Sequence, residues 1–96
     1  MNERKTIGII GGGQLGLMIA EAARPMGIRT VCLDPAPDAP AGAVCDEHIV
    51  GRFDDAAAVE ELCRRSDAVT YEFENVPGEI LIPLCGKYNI PQGYKP

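Results

Sequence analysis

Gly11-Gly12-Gly13-Gln14-Leu15-Gly16 stands directly behind the short apolar run Thr6-Ile7-Gly8-Ile9-Ile10. This junction constrains the fold more than any other part of the chain. An apolar run this short suits a central parallel strand covered on both faces. The glycines that follow fit G-x-G-x-x-G and predict a sharp turn into a helix. Gly11 permits the turn, Gly13 lets a ligand approach the backbone, and Gly16 lets helix and strand pack closely. The helix N-terminus then offers free N–H groups, which favour an anion by roughly 0.3–1 kcal/mol when exposed. The glycines do not say which anion.

The same alternation continues downstream. A helix is expected from Gln14 to about Arg24, with Leu15, Met18, Ile19, Ala22 and Ala23 as its inward face and Glu21 and Arg24 on the wet side. Pro25 falls in its last turn and Gly27 is a suitable stop. Residues 29–34 read as a second strand ending in Asp34. The proline-rich loop 35–41 is expected to hold no regular element. A brief third strand covers 48–51. Asp54 or Asp55 caps a second helix that turns Val59, Leu62 and Cys63 inward. Residues 67–71 form a fourth strand, followed at its C-terminal end by Glu72-Phe73-Glu74-Asn75. Pro77 opens a third helix, short or kinked because Pro83 interrupts it. Residues 90–96 read as a strand running into a linker. Strands alternating with helices mean right-handed crossovers and a parallel sheet. The expected fold is therefore α/β and Rossmann-like, in three layers around a parallel sheet of four to five strands.

The 96 residues argue for one domain, burying only about 60–65% of its unfolded surface. Enzymes built on such a module are usually several times longer, so a fragment or one domain of a larger protein is expected. A net charge of −5 and 5% aromatic residues argue against nucleic acid as a partner. No apolar stretch approaches the roughly 18 residues of a membrane span, and residues 1–5 do not resemble a secretion signal. Cys32, Cys45, Cys63 and Cys85 contain no C-x-x-C pair and read as reduced thiols in a core, not as a zinc site with His48 or a disulfide framework.

Ligands of such sheets lie beyond the carboxyl ends of the strands. The glycine loop, the Asp34 loop and segment 72–75 all fall at that edge. A dinucleotide reading is available, with Asp34 placed to take ribose hydroxyls. Two features resist it. Gln14 puts a polar amide at the helix start, where it could bind a hydroxyl or phosphate, or simply be solvated. Glu72 and Glu74, two apart at a strand end, point the same way, towards ligand or towards solvent. Carboxylates accept from ribose hydroxyls and amines but repel a pyrophosphate.

Four stretches occur in order: Ile9-Ile10-Gly11-Gly12-Gly13-Gln14-Leu15-Gly16, Leu33-Asp34-Pro35-Ala36-Pro37-Asp38-Ala39-Pro40-Ala41, Asp46-Glu47-His48, and Val69-Thr70-Tyr71-Glu72-Phe73-Glu74-Asn75-Val76-Pro77. Over roughly residues 5–90 the chain resembles the N-terminal domain of the 5-(carboxyamino)imidazole ribonucleotide synthases. These are ATP-grasp ligases of purine biosynthesis, also described as the ATPase subunit of phosphoribosylaminoimidazole carboxylase. The resemblance implies a substrate-binding domain for 5-aminoimidazole ribonucleotide, not a dinucleotide domain. It implies a full-length enzyme that carboxylates this ribonucleotide with ATP and bicarbonate. ATP and magnesium would be held by ATP-grasp and C-terminal domains outside residues 1–96, with no cofactor and no metal held by this chain. Position by position, Gln14 and Leu15, beside Gly13, match loop residues that contact the ribonucleotide. Glu72 matches a carboxylate that binds the ribose or amine end, and Asn75 and Glu74 are further candidates. None of these is expected to be catalytic, and the 96 residues alone are expected to be inactive. The resemblance also implies a cytoplasmic protein, homodimeric when full-length. Two alternatives remain open on sequence: the nucleotide-binding half of an NAD- or FAD-dependent oxidoreductase, and a non-catalytic interaction module.

Overall fold

A computed structural model describes residues 4–71 and 76–91 of the chain. Four strands, β1 (Thr6–Ile10), β2 (Arg29–Asp34), β3 (Glu47–Val50) and β4 (Ala68–Tyr71), form one sheet in the order β3-β2-β1-β4. Every pairing is parallel, with Ile9 opposite Cys32 on one side and Thr70 on the other. Helices α1 (Gln14–Ala23), α2 (Ala56–Arg64) and α3 (Gly78–Cys85) complete the fold, with short 3-10 turns at Arg24–Met26 and Pro40–Ala43. The α/β class and the parallel sheet agree with the sequence reading, with four strands among the described residues.

Alternation along β1 sorts the core into two clusters. Ile10 joins Val31, Leu33, Val59, Leu62, Cys63, Val69, Tyr71, Leu81 and Leu84 on the face covered by α2 and α3. Ile9 joins Cys32 and Ala41 on the opposite face, packed by Leu17 and Ile19 of α1 and by Cys45. The result is three layers: α1, sheet, then α2 with α3. Asp55 caps α2, its Oδ1 accepting from the N–H groups of Ala57 and Ala58 at 3.1 and 3.3 Å. Val59, Leu62 and Cys63 face inward as expected. Arg24–Met26 carries Pro25 in a 3-10 turn that Gly27 ends at φ 75°.

Several expectations are corrected. The buried stripe of α1 is Gly16, Ala20 and Ala23, whereas Leu15 and Met18 are 51% and 57% exposed and Ala22 is also exposed. The physical reason is axial distance: small residues at i, i+4 and i+7 let α1 settle close to the sheet. The proline-rich segment does form a regular turn at its end, with Pro40 at the start of the 3-10 helix, where its missing N–H is not needed. Pro77 is the N-cap of α3 and not its first residue. Pro83 lies inside α3 without interrupting it, on the exposed face. Ile90 and Pro91 are not strand: the Val69 N–H reaches the Asn89 carbonyl at 2.9 Å, and Pro91 has no N–H to extend a ladder. No helix among the described residues is long and apolar enough to cross a membrane.

Candidate functional site

The strand order puts the end of β1 beside the end of β4. The connection leaving β1 runs through α1 on one face, and α2 returns to β4 on the other. The sheet therefore switches direction between β1 and β4, and such a switch point opens a crevice beyond the strand ends. The glycine loop forms one wall of it. At Gly11 the backbone takes φ 124°, which favours glycine. Gly13 is the N-cap of α1, and its carbonyl accepts the Leu17 N–H at 2.9 Å. A side chain at Gly16 would stand 2.6 Å from the Gly11 carbonyl oxygen and 3.4 Å from Ile9 and Ala41, so the third glycine permits the close approach of helix and turn. A side chain at Gly13 would meet nothing within 4 Å, leaving its backbone open to a ligand.

Gln14 is exposed at the first turn of α1. Leu15, Gly16 and Ile19 face Thr70 and Tyr71 across a narrow cleft. The structure thus brings Leu15 to the end of β4, with Gly13 and Gln14 directly before it at the start of α1. Glu72, Glu74 and Asn75, the remaining sequence candidates, lie outside the described residues. Tyr71, which immediately precedes them, is buried at the strand end.

Asp34 does something else. Its Oδ2 accepts the Gly12 N–H at 2.8 Å and its Oδ1 accepts the Ala36 N–H at 2.9 Å. The Ala41 N–H donates to the Gly12 carbonyl at 2.8 Å, and the Gly11 N–H donates to the Leu33 carbonyl at 2.8 Å. A side chain at Gly12 would stand 2.9 Å from Ala39 and 3.0 Å from Asp34, both Cβ atoms. The loop after β2 is therefore seated on the glycine loop, and Asp34 is the peg that holds it there. The dinucleotide reading gives Asp34 to ribose hydroxyls; in the structure each of its oxygens already accepts one backbone N–H group.

A second depression of about 310 Å³ opens at the same edge, lined by Pro35, Arg52, Phe53, Asp54 and Pro77. Arg52 grips Asp54 with two hydrogen bonds of 2.8 and 3.0 Å. The guanidinium holds the Asp54 carboxyl below its ordinary range, and the carboxylate raises Arg52 in turn. Sequence reasoning missed Arg52 and Phe53. Their signal was available: they follow β3 at the end where parallel sheets place ligands. His48 serves the fold, its Nε2 lying 3.2 Å from the Asp34 carbonyl. Among the described residues no three His, Cys, Asp or Glu side chains group in a way that could hold a metal ion. All four cysteines are free thiols.

Comparison with known proteins matches this geometry to a family. Residues 4–92 match the ribonucleotide synthetase preATP-grasp domain. The chain is 56% identical over 90 residues to the N5-carboxyaminoimidazole ribonucleotide synthase of Staphylococcus haemolyticus, covering 94% of this chain and 24% of that protein. It superposes on the crystal structure of N5-carboxyaminoimidazole synthetase from Staphylococcus aureus complexed with ADP, with a TM-score of 0.91, 50% identity, and coverage of 98% of this chain and 26% of that one. The Aspergillus clavatus N5-carboxyaminoimidazole synthase, solved in complex with ADP and 5-aminoimidazole ribonucleotide, gives a TM-score of 0.79 at 35% identity, over 91% of this chain and 23% of that one. The chain spans about a quarter of the length of these relatives. A parallel sheet in the order β3-β2-β1-β4, a glycine loop pegged by Asp34 and a match over nearly every residue lead to one conclusion: the chain belongs to the ribonucleotide synthetase preATP-grasp domain family.

Proposed function

We propose that this domain binds the ribonucleotide substrate of an ATP-dependent ligase that carboxylates 5-aminoimidazole ribonucleotide. The observation that carries the reading is the loop after β2 seated on the glycine loop, with the Ala41 N–H on the Gly12 carbonyl and Asp34 on the Gly12 N–H. A dinucleotide domain needs that space for its second half. Here the open backbone lies at Gly13, followed by exposed Gln14 and Leu15, and Leu15 lines the cleft at the end of β4. The relative solved with 5-aminoimidazole ribonucleotide supports the choice of ligand.

In this proposal the Gly13 backbone and the Gln14 amide contact the ribonucleotide, Leu15 shields one side, and Glu72 and Asn75 accept from its ribose or amine. The chemistry belongs to the whole ligase in the cytoplasm. ATP and bicarbonate combine, and the substrate's amine is carboxylated to a carbamate with release of ADP and phosphate. ATP and magnesium are assigned to an ATP-grasp module outside these residues. The described side chains do not fit a metal ion, so no step through magnesium is assigned to this domain. Residues 1–96 are read as one domain, inactive by itself, and the complete enzyme as a homodimer.

Amide NMR titration tests the reading, with 5-aminoimidazole ribonucleotide and NAD added in separate experiments. Shifts confined to 11–16 and 71–75 with the ribonucleotide, and none with NAD, are expected. Shifts with NAD at 11–16 and Asp34 would return the domain to the dinucleotide binders.

A further inference from the structure

Two thiols outside the candidate site meet on the α1 face of the sheet. Cys32, in the middle of β2, is fully buried. Cys45, in the turn before β3, is half-buried and packs into the same small cluster as Cys32, Ile9 and Ala41. Its position is held from two sides. The Cys45 N–H donates to the Ala41 carbonyl at 2.8 Å, and the next residue, Asp46, accepts the Thr30 N–H through Oδ2 at 2.8 Å. Thr30 and Cys32, two apart on β2, present the same face. Cys45 packs against the buried cluster that holds Cys32, so the two thiols share one small apolar environment.

These contacts divide the protons unequally. The Cys32 hydrogen bond draws the Cys45 thiol down to about 7 against the opposing effect of burial, with Thr30 adding to the fall and Asp46 resisting it. Cys32 moves upward, because its proton is held towards Cys45 and because it is buried, with Asp34 adding repulsion. Burial pushes Cys63 up to about 11. A thiolate, not a thiol, is the nucleophile, and an adjacent second thiol resolves its first oxidation product.

We propose that Cys45 and Cys32 form an oxidation-sensitive pair, in which Cys45 reacts with a hydroperoxide and Cys32 closes a disulfide. In the first step the Cys45 thiolate attacks the terminal peroxide oxygen. An S–O bond forms, the O–O bond breaks, and hydroxide or alkoxide leaves with the electron pair. In the second, the Cys32 sulfur attacks the Cys45 sulfenic acid; the S–S bond forms, and water leaves carrying the Cys32 proton. Two thiols lose two electrons and one peroxide gains them. The bond ties β2 to the turn before β3 and closes residues 33–44, the loop seated on the glycines, into a ring.

Peptide mapping tests this. Cys32 and Cys45 share the tryptic peptide 30–52, while Cys63 and Cys85 fall in two others. The folded chain is treated with stepwise hydrogen peroxide, its remaining thiols are blocked with iodoacetamide in denaturant, and the digest is weighed. Peptide 30–52 is expected unalkylated and about 2 Da lighter, at a dose roughly tenfold below that modifying Cys63, and dithiothreitol restores it. Cys32→Ser should leave a sulfenic acid on Cys45 that dimedone captures, and Cys45→Ser should leave Cys32 fully alkylatable. Two alkylated thiols in 30–52, a bond between chains, or earlier oxidation of Cys63 or Cys85 would overturn the proposal. The unsubstituted chain gives that reading even if a variant does not fold.

Discussion

The carboxylate of Asp34 holds the backbone of Gly12: Oδ2 accepts its N–H at 2.8 Å across the gap between the ends of β1 and β2. The other oxygen takes the Ala36 N–H at 2.9 Å. One side chain thus satisfies two donors in loops that have no ladder to join, and it draws the chain after β2 onto the glycine turn.

Asp34→Asn should therefore act on stability. An amide offers one acceptor oxygen, so one of the two N–H groups is left facing another donor. The expected cost is about 1–3 kcal/mol, or roughly 4–8 °C in Tm for each kcal/mol in a domain of this size. Thermal unfolding with a Tm unchanged from the parent chain would mean that the peg carries no weight.

The glycines should separate by position. Gly16→Ala drives a methyl to 2.6 Å from the Gly11 carbonyl and is expected to cost about 1–3 kcal/mol by overpacking. Gly13→Ala meets open space at φ −81° and should change stability by no more than roughly 0.5 kcal/mol. The same Gly13→Ala chain should lose ribonucleotide shifts in the NMR titration. Unaltered binding would remove Gly13 from the site.

Gln14 is exposed and holds up nothing in the core, so Gln14→Ala should leave the urea midpoint where it was. Losing one hydrogen bond to a ligand is worth about 0.5–1.5 kcal/mol, or 1.5–3 kcal/mol if the partner is a charged phosphate. Ribonucleotide affinity should then fall at least about twofold. An affinity within error of the parent chain would count against a direct Gln14 contact.

Acid should destabilise the fold partly through α2. Lys87 and then Tyr88 hold Glu60 below its ordinary value of 4.5, and Arg65 does the same for Glu61. A carboxyl lowered in the folded state contributes stability that is present above its unfolded value and lost as pH falls through the folded one. Tm should therefore decline as pH drops below about 4.5, less steeply in 0.5 M NaCl because these pairs are exposed and screened. Glu60→Gln with Glu61→Gln should flatten that limb. Identical limbs in the parent and the double variant would assign the acid loss to other groups.

Element order was legible from the residues themselves. A short apolar run, then glycines, then an amphipathic stretch is a local signal, and so are the Asp55 cap and the Gly27 stop. The site was legible in part. Gly13, Gln14 and Leu15 stood out as candidates because a turn and a helix start are encoded within a few positions, whereas Arg52 and Phe53 carry no motif and were marked only by following the third strand. The inward face of α1 was not legible, because Leu15, Leu17, Met18, Ile19, Ala20, Ala22 and Ala23 surround the helix with apolar groups and periodicity selects no side. Packing against the sheet chose Gly16, Ala20 and Ala23, since only small side chains let the axis come close. Nor could the sequence say whether Asp34 would point at a ligand or at its own backbone. That depended on where the loop after β2 came to rest, and long-range contacts set it: Ala41 on Gly12, and Asp34 between Gly12 and Ala36.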